Sequence, residues 1–204
     1  MLKQLLLQKI FDELIDSFLK DKVGIAENFL SISLSNHLRD NLFDLLKNNQ
    51  LAAAGIGNQK VVDHDKLIRS DQIYWLDRKN DNIHENEFFD LMDLFVTYLN
   101  ETCYTGITGY EFHYTLYEKG AFYLKHLDQF RNNDSRKYSM IIYLNNSWNT
   151  IDGGELCVHH HADRLQLITP NEGKSVFFKS DELVHEVLLT HRKRLSITGW
   201  LKIR

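Results

Sequence analysis

Apolar residues recur at intervals of three or four positions in three stretches of the first hundred residues, which predicts amphipathic helices. The first helix is expected to begin at the N-terminus and to end near Gly24. The second is expected over Leu34–Lys47, with Ser33 or Ser35 as its N-cap. The third is expected over Asn86–Glu101. The first half of the chain is therefore predicted to be mainly helical.

The pattern changes after Cys103 to short runs that are rich in β-branched and aromatic residues and are bounded by turn residues. The number and length of these runs predict either a double-sheet jelly roll or a barrel. The predicted strands are Tyr110–Tyr117, Ala121–Leu127, Tyr138–Leu144, Glu155–His159, Leu165–Ile168, Ser175–Phe178, His185–Leu189 and Arg194–Lys202.

No stretch with the composition of a linker separates these two halves, so residues 1–204 are interpreted as one α+β domain with the helices packed outside a β core. Two shorter segments connect the predicted helices. Ala52–Asn58, which contains Gly55 and Gly57, is predicted to be a flexible loop. The sequence Asp63-His64-Asp65 is predicted to be a surface turn.

Composition excludes several protein classes. One proline and ten glycines exclude collagen-like and low-complexity chains, and two cysteines exclude a disulfide scaffold and suggest a reducing compartment. The net charge of −4 disfavours a large nucleic-acid interface. We find neither a secretory signal nor a membrane span, so a soluble cytoplasmic protein is expected. Ten histidines are many for this length, which raises the question of a metal site.

The sequence His126-Leu127-Asp128 is the first candidate for metal ligands. On a strand, residues i and i+2 point to the same face, so the imidazole and the carboxylate can reach one ion. Two histidines and one carboxylate leave three open positions on an octahedral Fe(II). A second match, His161-Ala162-Asp163, lacks a distant histidine and a following arginine strand. The first pair has both, in His185 and Arg194.

Arg194 opens an alternating strand on which Ser196, Thr198 and Trp200 share its face. Buried polar groups without partners are costly, so an inward Arg, Ser and Thr indicate a polar ligand. A guanidinium matches a carboxylate with two parallel hydrogen bonds. The residues alone therefore predict an iron and, deeper in the cavity, an arginine that binds an anionic group.

These residues lie within a longer set of motifs. The set comprises Ile68-Arg-Ser-Asp-Gln-Ile-Tyr-Trp75, Leu116-Tyr-Glu-Lys-Gly-Ala-Phe-Tyr-Leu-Lys-His-Leu-Asp128, Tyr143-Leu-Asn145, Trp148, Gly153-Gly-Glu-Leu156, Pro170, His185-Glu-Val187 and Arg194-Leu-Ser-Ile-Thr-Gly-Trp200. In order and spacing it resembles the 2-oxoglutarate- and Fe(II)-dependent oxygenases of the prolyl 4-hydroxylase group. It is most similar to bacterial prolyl hydroxylases that act on elongation factor Tu, and to the hypoxia-sensing prolyl hydroxylases.

The resemblance implies a double-stranded β-helix (jelly roll) core over residues 103–204, with residues 1–102 as helical support and substrate flap. The implied metal ligands and catalytic residues are His126, Asp128 and His185. The implied cofactor-binding residues are Arg194, Tyr143, Tyr117, Ser139, Ser196 and Thr198. The implied substrate-binding residues are Arg69, Asp71, Trp75, Arg136 and Trp200.

The resemblance also implies the reaction. Fe(II), 2-oxoglutarate and O₂ would hydroxylate a prolyl residue of a protein or peptide, with elongation factor Tu as a possible substrate. Succinate and CO₂ would be released, and ascorbate would serve as reductant. Two alternatives stay open: the same cofactor chemistry on a small molecule such as a free amino acid, and a non-catalytic jelly-roll binding module. No nucleic-acid or membrane partner is expected.

Other histidines and both cysteines have simpler interpretations. The run His159-His160-His161 is predicted to be a solvated strand end or loop, and His113 a core or rim residue on its strand. Cys103 and Cys157 lack the CxxC spacing of a zinc or redox motif.

Overall fold

Three helices precede most of the strands in the computed structural model, which describes residues 2–55, 68–129 and 134–203. They are α1 (Leu2–Asp21), α2 (Ile32–Lys47) and α3 (Ile83–Cys103), so all three predicted helices are present. The N-cap of α2 is Ser31, whose Oγ accepts a hydrogen bond from the Leu34 amide at 3.2 Å. The predicted caps Ser33 and Ser35 are wrong because both lie inside the helix.

The end of α1 also differs from the prediction. The helix ends at Asp21, Lys22 follows with a positive φ of 64°, and Gly24 begins a strand. A Cβ at Gly24 would lie 2.5 Å from the carbonyl oxygen of Leu14. Gly24 is therefore needed for the close approach of its strand to α1, and it is not a helix terminator.

Eleven strands lie in the described residues, and they form two sheets. In chain order they are β1 (Gly24–Ala26), β2 (Ala52–Ala53), β3 (Gln72–Trp75), β4 (Gly109–Tyr117), β5 (Tyr123–His126), β6 (Arg136–Tyr143), β7 (Leu156–His159), β8 (Leu165–Ile168), β9 (Ser175–Lys179), β10 (Val184–Val187) and β11 (Arg194–Lys202). The large sheet has the order β1-β9-β6-β11-β4-β3-β2, and the small sheet has the order β5-β10-β7-β8.

The eight predicted strands all exist, with ends that differ by up to two residues. The structure adds β1, β2 and β3 to them. The predicted loop Ala52–Asn58 is partly wrong because Ala52–Ala53 pairs with Gln72 and Ile73 in the large sheet. The rest of that loop from residue 56 onward, and the predicted turn Asp63-His64-Asp65, lie outside the described residues.

Two apolar cores cover the two faces of the large sheet. On one face, Ile197 and Leu201 of β11 pack with Phe112 of β4 against the helices, through side chains such as Phe88 and Phe95. On the other face, side chains including Tyr143, Val158 and Phe178 fill the space between the sheets. The alternation of β11 thus directs its leucines and isoleucine to the helices and Arg194 to the space between the sheets.

This arrangement confirms the predicted α+β fold, a jelly-roll core with N-terminal helices packed on one sheet. The division of the chain into residues 1–102 and 103–204 of one domain stays a prediction. Among the described residues, no helix combines the length and the apolar character needed to cross a membrane.

Candidate active site

His126 and His185 are direct neighbours across two paired strands of the small sheet. His126 is the last residue of β5, and the antiparallel register places it opposite His185 of β10. Their ring centroids are 4.3 Å apart. The strand β5 is shorter than the predicted Ala121–Leu127, and Asp128 lies two residues beyond its end. The carboxylate of Asp128 nevertheless lies close to both imidazole rings.

The donor atoms of these three residues converge. Oδ1 of Asp128 lies 3.5 Å from Nε2 of His126 and 3.8 Å from Nε2 of His185. Nδ1 of His126 lies 2.7 Å from the Leu124 carbonyl oxygen, and Nδ1 of His185 lies 3.0 Å from that of Leu183. Because a carbonyl only accepts, each Nδ1 carries the proton and each Nε2 presents its lone pair to the shared centre.

Neighbouring groups hold the rings and set their charge. Tyr123 stacks on His126 at 3.6 Å between centroids, and Phe178 meets His185 edge-on at 4.8 Å. Burial lowers the pKa of His185 to about 4, so this imidazole is neutral at pH 7. Burial alone would raise the pKa of Asp128, but His185, which is cationic in the acid range where this carboxyl titrates, lowers it, so the carboxylate is charged at pH 7.

Arg194 is a buried cation in the same cavity, with 1% of its surface exposed. Its Nε donates to the Gly154 carbonyl oxygen at 2.8 Å. Its guanidinium carbon lies 5.2 Å from the Tyr117 ring centroid and 4.9 Å from that of Tyr143. No carboxylate of the described residues forms an ion pair with it, which leaves a costly buried charge.

Two buried polar atoms beside each other lack hydrogen-bond partners within the described part of the chain. They are Nη2 of Arg194 and the hydroxyl of Tyr143. Burial raises the pKa of Tyr143, so its hydroxyl keeps its proton and can donate. Two donors without acceptors next to a buried positive charge fit an anion with two oxygen atoms.

The small hydroxyl residues behave differently from one another. Thr198 lines the cavity, and the Oγ of Ser196 lies 3.3 Å from its Oγ1. Ser139 is not among the residues that line the cavity: its Oγ lies 2.9 Å from that of Ser180, and it lowers the pKa of Asp128. The structure therefore places Ser139 beside the metal-ligand candidate and away from the anion-binding group.

A bidentate ion pair lines the same cavity. Nε and Nη2 of Arg69 donate to the two carboxylate oxygens of Asp71 at 2.8 and 2.6 Å. The Arg69 guanidinium also covers the ring of Tyr123, at 4.4 Å from its centroid. Since Tyr123 stacks on His126, this pair is linked to the metal-ligand candidates by direct contacts.

Trp75, His113 and Trp200 contact one another and form an aromatic wall, of which His113 and Trp200 line the cavity. Trp75 meets His113 edge-on at 4.9 Å, and His113 lies 5.5 Å from Trp200. Trp75 is 47% exposed, whereas Trp200 is buried and its Nε1 has no partner among the described residues. Arg136 lies on the Trp200 ring and is paired with Glu111.

These residues fit an iron and a dicarboxylate. Two imidazoles and one carboxylate form the donor set of a facial Fe(II) site, and their ligand atoms lie within 4.8 Å of one another. Arg194 and Tyr143 supply donors for a carboxylate farther along the cavity. The cavity thus has groups suited to both ends of 2-oxoglutarate, a metal-ligand set for one end and hydrogen-bond donors for the carboxylate at the other.

The structure brings together most residues that the sequence predicted and adds three that it missed. His113, Tyr123 and Glu111 were not assigned to the site. A signal for His113 was available, because it shares a face of β4 with Thr115 and Tyr117, which both line the cavity. Glu111 gave no signal, since its role depends on pairing with Arg136 from another strand.

The histidine run lies at a strand end, as predicted, but its first member has a protein partner. His159 is the last residue of β7, and its Nε2 lies 2.8 Å from Oε1 of Glu186. His160 contacts Gln166, and His161 is exposed. His161 and Asp163 are in no metal-binding cluster of the described residues.

Comparison with known proteins points to one family. The sequence model of the 2OG-Fe(II) oxygenase superfamily matches residues 112–202. A hypoxia-inducible factor prolyl hydroxylase of Caenorhabditis elegans is 32% identical over 146 residues. That match covers 67% of this chain, which spans only 20% of the length of the nematode protein.

Solved structures extend the similarity over nearly the whole chain. A Pseudomonas putida prolyl-4-hydroxylase is 31% identical, with a TM-score of 0.84, over 95% of this chain and 99% of that one. A Trichoplax adhaerens prolyl hydroxylase, solved with a peptide fragment of hypoxia-inducible factor, shares the fold with a TM-score of 0.88 at 22% identity, over 99% and 93% of the two chains. With the convergent His126, Asp128 and His185 and the buried Arg194, these matches show that the chain belongs to the 2OG-Fe(II) oxygenase superfamily, among relatives that are prolyl 4-hydroxylases.

Proposed function

We propose that the protein hydroxylates a prolyl residue of a protein or peptide, as a peptidyl-proline 4-hydroxylase that uses Fe(II), 2-oxoglutarate and O₂. The observation that carries this proposal is the buried guanidinium of Arg194, which lacks a described acidic partner and shares a cavity with His126, Asp128 and His185. A metal-ligand set and an anion-binding arginine in one cavity match a chelating dicarboxylate.

His126, Asp128 and His185 would hold the iron through two Nε2 atoms and one carboxylate. When bound, the iron and 2-oxoglutarate supply the oxidation: the cosubstrate is decarboxylated to succinate and CO₂, and one atom of O₂ enters a substrate C–H bond. The protein's residues supply charge and position. The single negative charge of Asp128 leaves a net positive centre, which favours an anionic chelator.

Arg194 and Tyr143 would hold the distal carboxylate of 2-oxoglutarate, because both present a buried donor without a partner in the described chain. Thr198 lines the same cavity and is joined by Ser196 through their hydroxyls. The Tyr117 ring lies 5.2 Å from the Arg194 guanidinium carbon, so its assignment to the metal-proximal end of the cosubstrate rests on the family resemblance alone. We assign Ser139 a positioning role instead, since it lowers the pKa of Asp128 and so favours the charged carboxylate.

The peptide would enter along the rim formed by the Arg69–Asp71 pair and the aromatic wall. A prolyl ring is small and apolar, and flat aromatic faces bury such a ring well. Trp75 is half exposed at the entrance, and the unpaired Nε1 of Trp200 can donate to a substrate carbonyl. Arg136 would act through Trp200, whose ring it covers.

Two finer assignments belong to the same proposal. We propose ascorbate as the reductant that keeps the iron ferrous, and the cytoplasm as the place of action. The two cysteines support a reducing compartment, since Cys103 and Cys157 are both free thiols. Elongation factor Tu is the first protein substrate to test, because of the sequence resemblance to bacterial prolyl hydroxylases.

The test incubates the purified chain with Fe(II), 2-oxoglutarate, ascorbate and either elongation factor Tu or proline-containing peptides. Expected products are succinate and a prolyl residue heavier by one oxygen atom, located by tandem mass spectrometry. Asp128→Ala should abolish both products, and His161→Ala, at an exposed histidine, should leave both unchanged.

Three other outcomes would contradict the proposal. Turnover of a free amino acid without peptide oxidation would favour the small-molecule alternative. Absence of succinate with every substrate, despite bound iron, would favour a binding module. Loss of turnover in His161→Ala would show that the metal ligands are wrongly assigned.

A further inference from the structure

A second cluster of metal-ligating side chains lies on the outer face of the small sheet. Cys157 and His159 are two residues apart on β7, and Glu186 of β10 is the direct partner of Cys157. Their neighbours Leu156, Val158 and Val187 point inward to the core between the sheets. By the alternation of the strands, the cluster lies on the side of the sheet that faces away from the active site.

The three donor atoms of this cluster converge within 4.8 Å of one another. Sγ of Cys157 lies 3.9 Å from Nε2 of His159, and Oε1 of Glu186 lies 2.8 Å from the same nitrogen. Cys157 is buried, with 3% exposed, while the His159 and Glu186 side chains are about one fifth and one quarter exposed. Solvent therefore reaches the cluster from one side.

The geometry disfavours a nucleophilic cysteine. A Cys-His-carboxylate triad uses both ring nitrogens, one toward the thiol and the other toward the carboxylate. Here both contacts involve Nε2 of His159. Burial and the carboxylate of Glu186 also raise the pKa of Cys157, which is the opposite of what an activated thiol needs.

Convergence of sulfur, nitrogen and oxygen on one point is instead the arrangement of a metal site. We infer that Cys157, His159 and Glu186 form a second divalent-cation site, suited to Zn²⁺, with water as its fourth ligand. Zn²⁺ accepts thiolate, imidazole and carboxylate ligands in tetrahedral geometry, and a solvent-facing fourth position fits the partial exposure of the cluster. On binding, the cation replaces the thiol proton, which is released to solvent.

This inference does not depend on the proposed hydroxylation, and its test can be read without turnover. Co²⁺ is the probe, because thiolate coordination gives a ligand-to-metal charge-transfer band in the near ultraviolet. The active-site set of two histidines and an aspartate contains no sulfur and cannot produce that band. The chain has two cysteines, so the sulfur source can be assigned by two variants.

The expected results are specific for each variant. Wild type and Asp128→Ala should both show the band on addition of Co²⁺, and Zn²⁺ should displace the cobalt and remove it. Cys157→Ser should lose the band, and Cys103→Ser, at the exposed cysteine, should keep it. Glu186→Gln should weaken Co²⁺ binding at this site by about tenfold or more. Circular dichroism confirms that each variant is folded.

Three results would overturn the inference. The first is the absence of a sulfur band in wild type under reducing conditions. The second is a band that persists in Cys157→Ser and disappears in Cys103→Ser, which would indicate adventitious binding at the exposed thiol. The third is an unchanged Co²⁺ affinity in Glu186→Gln. Because this measurement does not need Cys157→Ser, it tests the inference even if that variant fails to fold.

Discussion

The guanidinium carbon of Arg136 lies 3.4 Å from the centroid of the Trp200 ring. Arg136 is held there by Glu111, whose Oε1 accepts from its Nε at 2.9 Å. The other oxygen of Glu111 accepts from Lys202 at 2.9 Å. One carboxylate thus fixes two cations, of which Arg136 covers the tryptophan at the rim of the active site.

This arrangement separates the effect of Arg136 from a general loss of charge. Arg136→Gln should raise KM for the peptide by about 2- to 30-fold, the value of a cation–π contact that orients Trp200. KM for 2-oxoglutarate should stay unchanged, because Arg194 lies elsewhere in the cavity. Lys202→Gln is the matched control: it removes a cation from the same Glu111, and its peptide KM should match wild type. Equal effects of both variants would show that only the net charge matters.

Arg194 should determine the affinity for 2-oxoglutarate. Removing one partner of a buried, hydrogen-bonded charge pair costs about 2–5 kcal/mol, so Arg194→Lys should raise KM for 2-oxoglutarate by about 30-fold or more. Lysine keeps the charge but loses the fork that matches a carboxylate. Succinate release at varied 2-oxoglutarate measures the change. Arg192→Lys, at a half-exposed arginine near Asp152, should leave KM unaltered, and a similar rise there would refute the assignment.

His113 should make stability depend on pH. Burial lowers its pKa to about 4, so it is neutral in the folded protein, while in the unfolded chain it titrates near its usual value of about 6.5. As pH falls from about 6.5 to about 4, the unfolded state gains a proton that the folded state does not. The free energy of unfolding then falls by about 3 kcal/mol, and the contribution of His113 to it is constant below about pH 4.

The contribution of His113 is isolated by comparison with His113→Asn. Urea unfolding at pH 7, 5.5 and 4 (about one and a half pH units apart) should show that the advantage of wild type over the variant decreases as pH falls. The comparison cancels the similar titration of His185, which is present in both proteins. A difference in unfolding free energy that stays constant with pH would show that His113 is not buried as a neutral ring.

Gly199 should tolerate no side chain. It lies in the middle of β11, and a Cβ there would be 2.2 Å from both the Glu111 carbonyl oxygen and Cδ1 of Phe112. Because backbone of the neighbouring strand cannot yield, Gly199→Ala should destabilise by about 3 kcal/mol or more. Gly109→Ala, at the start of β4 with open space around its Cβ, should change thermal stability little. Comparable melting temperatures for the two variants would contradict the close approach.

The parts of the fold with a repeating pattern were predictable from sequence, and the parts fixed by tertiary pairing were not. β8 and β11 have the predicted ends because their alternation is clear. The short strands β1, β2 and β3 were missed, since two to four residues contain too little periodicity. Ser31 was missed as a cap because α2 begins at Ile32, two residues before the predicted start at Leu34.

The same distinction applies to the site. The His126-x-Asp128 pair and the polar face that begins at Arg194 are local patterns, so they could be read directly. Glu111 and the Cys157–His159–Glu186 cluster depend on strand register, which sequence spacing does not reveal. The family resemblance assigned Ser139 to the cosubstrate, whereas its hydroxyl contacts that of Ser180.

His185 and Glu186 are adjacent on β10, and they point to opposite faces of the small sheet. A shift of β10 by one residue would exchange them, which would bring a carboxylate into the iron site and move the imidazole outside. A metal ion bound at either site would therefore stabilise the observed pairing register of this four-residue strand. Substitutions that loosen the pairing of β10 with β7 should impair both sites together, even where they touch neither.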